Sequence, residues 1–312
     1  MRLEHIGERN AIKMISYLTE TDVSDDCAIL PFGKSYLLFT TDMINEYTHI
    51  PENSKPYWIG RHVVAINLSD IAAKGGKPLG VSVALGLPEN YDAKFLKELS
   101  KGMGDCAKKY STKIVGGDTK ENKTLTLCGS AIGVVNRKNI MLRKGAKPGD
   151  VVCVTGTLGT SSAGLHSKNP KKVLMINPRV KEGIALAETN AVTSCMDISD
   201  GVASSIYQLS SLNKAGFEID YELLPYASDA KKVSEKFGIP LDELLLYSGG
   251  DYELLLTVKK SKLKNAINTL KIVGTKLTPI GVVTKYKENI LVKENRKTVL
   301  ENRGYEHFRV RV

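Results

Sequence analysis

The sequence predicts a two-domain protein of the α+β class, and three observations lead to this prediction. The 312 residues are 42% apolar and 25% charged, a composition typical of globular chains with ample material for buried cores. After an N-terminal helix, the first 135 residues have the apolar pattern of a hairpin, a helix, a strand, a helix and two strands. Charged residues and Gly/Pro punctuation then fill residues 136–150, so we expect domains at 1–140 and 141–312.

Composition and charge narrow the functional class. No apolar run is long enough to cross a membrane, and the first residues do not begin a signal peptide, so a cytoplasmic protein is expected. The five cysteines form no CxxC pair and are expected to be reduced core residues. The net charge of +10 could attract nucleic acid or anionic metabolites. Nucleic acid is disfavoured because aromatic residues for base stacking make up only 6% of the chain.

The first domain begins with a predicted helix at residues 5–20, followed by a hairpin. Two apolar runs, residues 27–32 and 36–39, are joined by Gly33–Lys34, which is a typical hairpin turn. In an antiparallel hairpin, the start of the first strand and the end of the second strand lie at the same edge. The residues on either side of this hairpin are therefore expected to meet.

Acidic and hydroxyl side chains occupy that edge. Asp25 and Asp26 precede the first strand, and Thr40, Thr41 and Asp42 end the second. Crowded carboxylates raise one another's pKa unless a cation lies among them. Hard oxygen ligands of this kind favour magnesium, although solvated acids at the end of a hairpin have the same pattern.

A buried helix is predicted to begin at Pro56, where the missing N–H costs nothing, and to end before Gly75–Gly76. The segment is apolar on nearly every side, which indicates burial all round. Asn67 and Asp70 are three residues apart and therefore lie on one face. A buried carboxylate needs a partner, and both a structural hydrogen bond and a metal ion satisfy that need.

The rest of the first domain alternates between strands and a helix. Strands are predicted at residues 79–87, 113–115 and 124–135, and a helix at 92–110. Gly116–Gly117–Asp118 follows the second of these strands, and by itself this tripeptide indicates a turn.

The second domain opens with a strand at residues 150–155, a glycine loop at 156–159 and a helix from Thr160. A strand, glycine loop and helix start can cradle phosphate through backbone N–H groups. The loop lacks the GK[ST] ending of a Walker A motif, and the chain has neither GxGxxG nor the HRD and DFG motifs of protein kinases. If the protein uses ATP, it belongs to neither common class.

A second acidic segment, Asp197–Gly201, precedes a helix that is predicted to run towards Gly216. Ser199 or Asp200 is suitable as the N-cap of this helix, but capping leaves Asp197 unexplained.

The elements after this helix repeat the association of glycines, an acid and a strand. A strand at residues 219–224 and a helix at 228–237 precede Gly249–Gly250–Asp251, which leads into a strand at 253–258 and a helix at 263–270.

Acidic residues thus recur beside glycines at the ends of elements throughout the chain. Together they suggest one oxygen-lined site between the domains that binds several divalent ions. Many carboxylates without a positioned Cys–His or Ser–His pair favour phosphoryl transfer over acyl chemistry. Such a transfer mainly needs positioning and charge neutralisation.

These motifs also resemble a known family. In chain order, SDDCAIL, TTD, NLSDIAAKGGKP, VGGDT, KPGD with TGTLGTSSAGL, MDISDG and SGGDYELLLTV are similar to the thiamine-monophosphate kinases, relatives of aminoimidazole ribonucleotide synthetase and selenophosphate synthetase. The resemblance implies an α+β homodimer paired through its N-terminal sheets, with a C-terminal α/β sandwich-like domain. It also implies magnesium-assisted transfer of a phosphoryl group from ATP to thiamine monophosphate.

The resemblance further implies roles for individual residues. Magnesium ligands are expected at Asp26, Thr40, Thr41, Asp42, Asp70, Asp118, Asp197 and Asp200. ATP contacts are expected at Asp26, Gly117, Asp118, Arg143 and Ser199. Substrate contacts are expected at His49, Asp251 and Tyr305. The chain has GGDYEL where the family commonly has GGEDYEL, so Asp251 is the candidate for the role of the missing Glu.

Two other interpretations remain at this stage. Another synthetase of the same superfamily would share the ATP site, although no reactive cysteine lies in a glycine-rich N-terminal segment as selenophosphate synthetase requires. A non-catalytic nucleotide-binding regulator would bind ATP and magnesium without turnover.

Overall fold

The computed structural model describes residues 2–308, apart from the side chain of Glu4. The first domain contains a five-stranded sheet in the order β1-β2-β5-β3-β4, in which only the β3–β4 pair is parallel. Helices α3 and α4 pack against each other, and α3 lies on one face of the sheet. Its elements are α1 (Leu3–Ile6), α2 (Glu8–Thr19), β1 (Ala28–Phe32), β2 (Ser35–Asn45), α3 (Pro56–Ala73), β3 (Lys77–Leu87), α4 (Ala93–Lys109), β4 (Ile114–Glu121) and β5 (Thr126–Asn136).

The second domain contains a seven-stranded mixed sheet in the order β12-β11-β8-β10-β6-β9-β7. Two separate apolar cores include its strand residues, which is typical of a sheet with helices on both faces. Its elements are β6 (Val151–Thr155), α5 (Thr160–His166), α6 (Pro170–Leu174), α7 (Val180–Thr189), β7 (Val192–Asp197), α8 (Val202–Asn213), β8 (Gly216–Asp220), α9 (Ser228–Phe237), β9 (Leu254–Val258), α10 (Leu263–Ile272), β10 (Leu277–Thr284), β11 (Ile290–Lys293) and β12 (Arg296–Val299).

Short helical turns complete the described chain. Arg137–Asn139, Tyr221–Leu223 and Lys260–Lys262 are 3₁₀ turns, and Glu243–Tyr247 is a π-helical turn. The predicted strand at residues 219–224 is therefore wrong over its second half, where the chain leaves the sheet after Asp220. The α+β fold with two sheets is confirmed.

Helix α3 joins the two domains. It is buried along most of its length, as its all-round apolar sequence predicts. One side of α3 packs on β2 and β5 of the first sheet, while other residues contact α6, α7 and β7 of the second domain. Polar residues near the C-terminal end of α3 therefore lie where the two domains meet.

Two predicted elements of the first domain differ in the structure. Gly7 has a φ of 74° and divides the predicted helix at residues 5–20 into α1 and α2. Gly116–Gly117–Asp118 does not form a turn but lies inside β4. A side chain at Gly117 would place its Cβ 2.1 Å from the carbonyl oxygen of Val83, so glycine permits the close β3–β4 pairing.

Among residues 2–308, the structure has no helix that is both long and apolar enough to cross a membrane.

Candidate active site

Carboxylates from both domains converge beside the C-terminal end of α3. Asp26 precedes β1, Asp70 lies on α3 and Asp197 ends β7, and one oxygen atom from each lies within 4.8 Å of the others. The hydroxyl of Thr40 donates a hydrogen bond to Asp70, and the hydroxyl of Ser69 donates one to Asp197 over 2.6 Å. The antiparallel register of the predicted hairpin is confirmed, since Ala28 pairs with Phe39.

Asp42 belongs to the same group electrostatically. Thr40 and Asp42 are two residues apart on β2 and lie on the face of the sheet that α3 covers. Burial raises the pKa of Asp42, the interaction with Asp70 lowers it, and the negative charge of Asp26 raises it. We call Asp26, Asp42, Asp70 and Asp197 the carboxylate cluster.

Burial and mutual repulsion raise the pKa of three members of the carboxylate cluster. Burial and then the charge of Asp42 raise the pKa of Asp70 well above its ordinary value. Burial, with the charge of Asp26 next, raises the pKa of Asp197 to about 7. Burial also raises the pKa of Asp42 to about 6. These three carboxyls therefore favour the protonated form unless a cation lies among them.

Lys74 and Arg143 compensate the negative charge of Asp26, the fourth member of the carboxylate cluster. The Lys74 ammonium, which is fully buried, pairs with Asp25 and lies 2.7 Å from Asp26. It also donates a hydrogen bond to the carbonyl of Cys195 over 3.0 Å. Arg143 Nε donates to Asp26 over 2.7 Å, and its backbone N–H donates to Asp25 over 3.1 Å. Burial alone would raise the pKa of Asp26, but the two cations outweigh burial and lower it.

Replacing Lys74 with Met is therefore expected to destabilise the protein by about 3–5 kcal/mol, because two acids lose their buried cation. Urea unfolding in EDTA measures this free energy. The matched control is Lys77→Met, which removes the exposed lysine at the start of β3 and is expected to change stability by less than about 0.5 kcal/mol. Equal effects of the two substitutions would contradict a structural role for the Lys74 ion pairs.

The raised pKa values also predict how stability depends on pH. An acid whose pKa is higher in the folded state than in the unfolded state stabilises the fold at low pH, and this contribution is lost as pH rises through the folded pKa. For Asp197, the change from 3.8 to about 7 corresponds to a loss of up to about 4 kcal/mol. In EDTA, the melting temperature of the wild type is therefore expected to fall between pH 5 and pH 8. The melting temperature of the Asp197→Asn variant should fall less over the same range.

Magnesium is expected to remove most of this decline, because a cation favours the ionised carboxylates. Thermal unfolding at both pH values, with and without magnesium, checks the prediction. Asp92→Asn is the control, since Asp92 is exposed, caps α4 and can be replaced by an equally good capping residue. A wild-type melting temperature that rises from pH 5 to pH 8 in EDTA would contradict the cluster electrostatics.

The residues around the cluster fit a hard cation. Carboxylate and hydroxyl oxygens make up the donor set, as magnesium prefers. Asn67 lies one turn before Asp70 on α3, and its buried side-chain oxygen has no hydrogen-bond partner among the described residues. Its Nδ2 donates to Val63 O over 2.9 Å and occupies the space that a Cβ at Gly129 would need. Of the two possibilities that the sequence leaves open for Asp70, the hydrogen bond to Thr40 is present and the surroundings also suit a metal.

The predicted substrate residues His49 and Tyr305 lie close together. His307 is between them, with its ring 5.0 Å from His49 and 4.9 Å from Tyr305. The backbone N–H of Tyr305 donates to the carbonyl of Asp200 over 3.0 Å. Burial and then the charge of Glu8 raise the pKa of Asp200 to about 6. The C-terminal segment thus places a ring cluster beside Asp200.

Asp251 has a different environment from His49 and Tyr305. Its carboxylate accepts hydrogen bonds from the N–H groups of Gly159 at 2.6 Å and Ser161 at 3.1 Å. Burial nevertheless raises its pKa to about 6. Asp251 therefore stabilises the glycine loop and the start of α5, which is the segment that the sequence suggests as a phosphate cradle.

Ser199 does not cap the helix that follows it. Gly201, with a φ of 100°, occupies the N-cap position of α8, and no side chain there accepts a capping hydrogen bond. The Ser199 carbonyl accepts a hydrogen bond from Gly250 N–H over 2.7 Å, which ties the two acidic glycine segments together. Capping therefore does not explain the polar residues before α8.

Thr41, Gly117 and Asp118 lie away from the carboxylate cluster within one chain. The Thr41 hydroxyl is on the uncovered face of the first sheet, 2.9 Å from the hydroxyl of Ser130. Through direct strand pairing, Asp118 shares that uncovered face with Met43. Asp118 lies on β4, which is three strand positions from β2, or about 14 Å at the usual strand spacing.

Two residues of the site were missed by the sequence analysis. Lys74 lies within the quoted AAKGGKP segment, where a lysine inside an otherwise apolar helix end is a usable signal. Tyr252 is partly buried near the cluster, and its pKa is raised by burial and then by the charge of Asp42. Its φ of 52° and its edge-on contact with His62, at 6.0 Å, have no counterpart in the sequence pattern.

Comparison with known proteins assigns the chain to a family. Residues 24–135 match the family model for the N-terminal domain of AIR synthase related proteins, and residues 147–293 match the model for the C-terminal domain. The thiamine-monophosphate kinase of Pyrococcus horikoshii is 35% identical over 294 residues, which covers 92% of this chain and 91% of that protein. The thiamine-monophosphate kinase of Buchnera aphidicola subsp. Schizaphis graminum is 34% identical over 306 residues and 92% of each chain.

Solved structures agree with this assignment. AaThiL complexed with AMPPCP and TMP superposes with a TM-score of 0.88 at 28% identity, covering 98% of this chain and 99% of that one. The E. coli hydrogenase maturation protein HypE has a TM-score of 0.74 at 21% identity, covering 94% of this chain and 97% of HypE. The same fold therefore also occurs in a protein with a different name and role. Since both family models and close relatives match along most of its length, the chain belongs to the thiamine-monophosphate kinases among the AIR synthase related proteins.

Proposed function

We propose that this protein transfers the γ-phosphoryl group of ATP to thiamine monophosphate and so forms thiamine diphosphate and ADP. The observation that carries the proposal is the carboxylate cluster, because its buried acids come from both domains and repel one another without a cation. The relatives named thiamine-monophosphate kinase and the AaThiL complex with an ATP analogue and TMP support the choice of substrates.

Several magnesium ions are part of the proposal. Asp26, Asp42, Asp70 and Asp197 would hold them, with Thr40 and Asp200 at the margins of the same group. When bound, magnesium would neutralise the phosphate oxygens of donor and acceptor and so permit in-line transfer between two anions.

The chain's own residues would then position the reactants. Arg143 carries a guanidinium, suited to phosphate oxygens, and reaches Asp26 from the segment between the domains. Ser199 and the glycine loop supported by Asp251 lie on the second-domain side. We assign no general base, because the acceptor phosphate has a second pKa of about 6 and is largely ionised near neutral pH.

We place the thiamine end of the substrate beside the ring cluster of His49, Tyr305 and His307. These rings combine flat apolar faces with polar atoms, which suits an aromatic cation such as thiamine. Asp251 is less suited to direct substrate contact than the sequence suggests, since its carboxylate already accepts two backbone hydrogen bonds. We propose that it acts by holding the glycine loop.

A homodimer is also part of the proposal. Leu30, Phe32, Phe39 and Met43 lie on the uncovered face of the first sheet, and each is about half exposed. An exposed apolar face of this kind favours association with a second copy. Asp118 lies on the same uncovered face, on β4, so pairing through this face would place it at the interface between the two copies.

The test is ADP release from ATP and magnesium with and without thiamine monophosphate, combined with mass analysis of the product. We expect ADP release to depend on thiamine monophosphate and the product to be heavier by one phosphoryl group. Nucleotide binding without that product would contradict the proposed acceptor and favour a sister synthetase or a regulator. An acceptor screen, with and without magnesium, then separates these two.

A further inference from the structure

A cavity of about 250 Å³ lies between the C-terminal end of α4 in the first domain and the start of α7 in the second. It is separate from the carboxylate cluster. Arg61, which contacts the lining residue Asn177, precedes Asp70 by nine residues on α3, a distance of about 13 Å along the helix. Charged and polar side chains dominate its lining, which includes Lys109, Tyr110, Asn177, Arg179, Lys181 and Glu182.

The rear of the cavity is a built polar wall. The side-chain oxygen of Asn177 accepts a hydrogen bond from Lys109 over 2.6 Å and from Arg61 over 3.0 Å. The second contact of the Arg61 guanidinium is the carbonyl of Ile176, also at 3.0 Å. Arg61 is only 5% exposed, and its Nε has no hydrogen-bond partner among the described residues. One buried donor beside the cavity thus remains unsatisfied.

Positive charge exceeds negative charge around this cavity. The lining contains three cations, Lys109, Arg179 and Lys181, and one carboxylate, Glu182, which lies 3.3 Å from Arg179. Outside the lining, Arg61 adds one positive charge and Glu253, which pairs with Arg179, adds one negative charge. Burial and then the charge of Arg61 lower the pKa of Lys109, so the lysine is repelled by the other cations. An excess of about two positive charges remains.

The start of α7 borders the same cavity. This helix has ten residues, and no side chain caps its N-terminus. Lys181 and Glu182 belong to its first turn and also line the cavity, so the positive end of the helix dipole faces the same space.

We propose that this cavity binds a small phosphate-bearing anion, either inorganic phosphate or a phosphomonoester. A phosphate dianion matches the excess of two positive charges in the lining, and its oxygens suit the cationic side chains of Lys109 on α4 and Lys181 on α7. Lys109 belongs to the first domain and Lys181 to the second, so the bound anion connects the two domains. The proposal does not depend on the identity of the substrates at the carboxylate cluster.

Calorimetric titration of the full chain with inorganic phosphate in EDTA tests the proposal. EDTA excludes phosphate binding through metals at the carboxylate cluster. We expect one phosphate per chain. The Lys109→Met/Lys181→Met variant should bind at least about tenfold more weakly, since two cations next to the anion are removed. The matched control is Lys101→Met/Lys108→Met, which removes two exposed lysines of α4 outside the cavity and should bind within about twofold of wild type.

Two results would overturn the site: no saturable binding of phosphate at millimolar concentrations, or equal weakening in both double variants. Methyl phosphate distinguishes the two sources of the anion. Tighter binding of methyl phosphate identifies a phosphomonoester, and tighter binding of inorganic phosphate identifies the free ion. The Asp70→Asn variant should bind phosphate as the wild type does, so this result is independent of whether the proposed kinase activity is found.

Discussion

The Asp70→Asn variant is expected to lose phosphoryl transfer by roughly 10³-fold or more and yet to melt at a higher temperature than the wild type in EDTA. A thousandfold loss corresponds to about 4 kcal/mol of transition-state stabilisation, a plausible share for a lost metal ligand. The gain in stability has a separate cause. Asp70 is surrounded by Asp26, Asp42 and Asp197, and burial with this repulsion raises its pKa. A neutral amide removes the repulsion.

Asn keeps the shape of the side chain and can still accept the hydrogen bond from Thr40. We therefore expect a rise of a few degrees in the melting temperature without magnesium, and a smaller stabilisation by magnesium than in the wild type. Steady-state assays with thiamine monophosphate and thermal unfolding with and without magnesium measure the two effects. Asp92→Asn, on the exposed cap of α4, should change neither.

If the Asp70→Asn variant catalyses the transfer at a near-normal rate, this result would contradict the assignment of Asp70 as a metal ligand. A variant that is inactive and less stable in EDTA would show instead that Asp70 has a structural role. Loss of activity together with a gain in stability is expected only for a carboxylate that the fold holds close to other carboxylates.

The acidic hairpin shows why much of this site could be predicted from the sequence. Gly33–Lys34 fixes a two-residue turn, and the alternation of β2 fixes which side chains face α3. Asp26, Thr40 and Asp42 follow from this local register. The position of Asp70 likewise follows from the helical spacing of an apolar segment.

Contacts between residues far apart in the chain could not be predicted in this way. Lys74 pairs with Asp25, 49 residues earlier, and Arg143 reaches Asp26 over 117 residues. No periodicity relates these positions. Gly116–Gly117–Asp118 illustrates the opposite error, since its local sequence favours a turn while pairing with β3 keeps it in a strand. Tertiary pairing overrides the local preference there.

A heterodimer built from one Asp42→Asn chain and one Asp118→Asn chain is expected to recover about half of the wild-type activity, although each variant alone is inactive. The expectation follows from the positions of the two acids. Asp42 faces α3, whereas Asp118 lies about 14 Å away on the uncovered face. If Asp118 completes the partner's site, the heterodimer contains one site with both acids intact and one site with neither.

Two different affinity tags allow the heterodimer to be purified from co-expressing cells. The matched control pairs Asp42→Asn with Asp70→Asn, whose side chains belong to the same cluster of one chain, so each site keeps one defect and no activity returns. If the Asp42/Asp118 pair is also inactive while the purified species is dimeric, Asp118 acts within its own chain or not at all. Recovery in this pair alone would establish that two copies build each site, because separate inactive chains cannot otherwise restore one another.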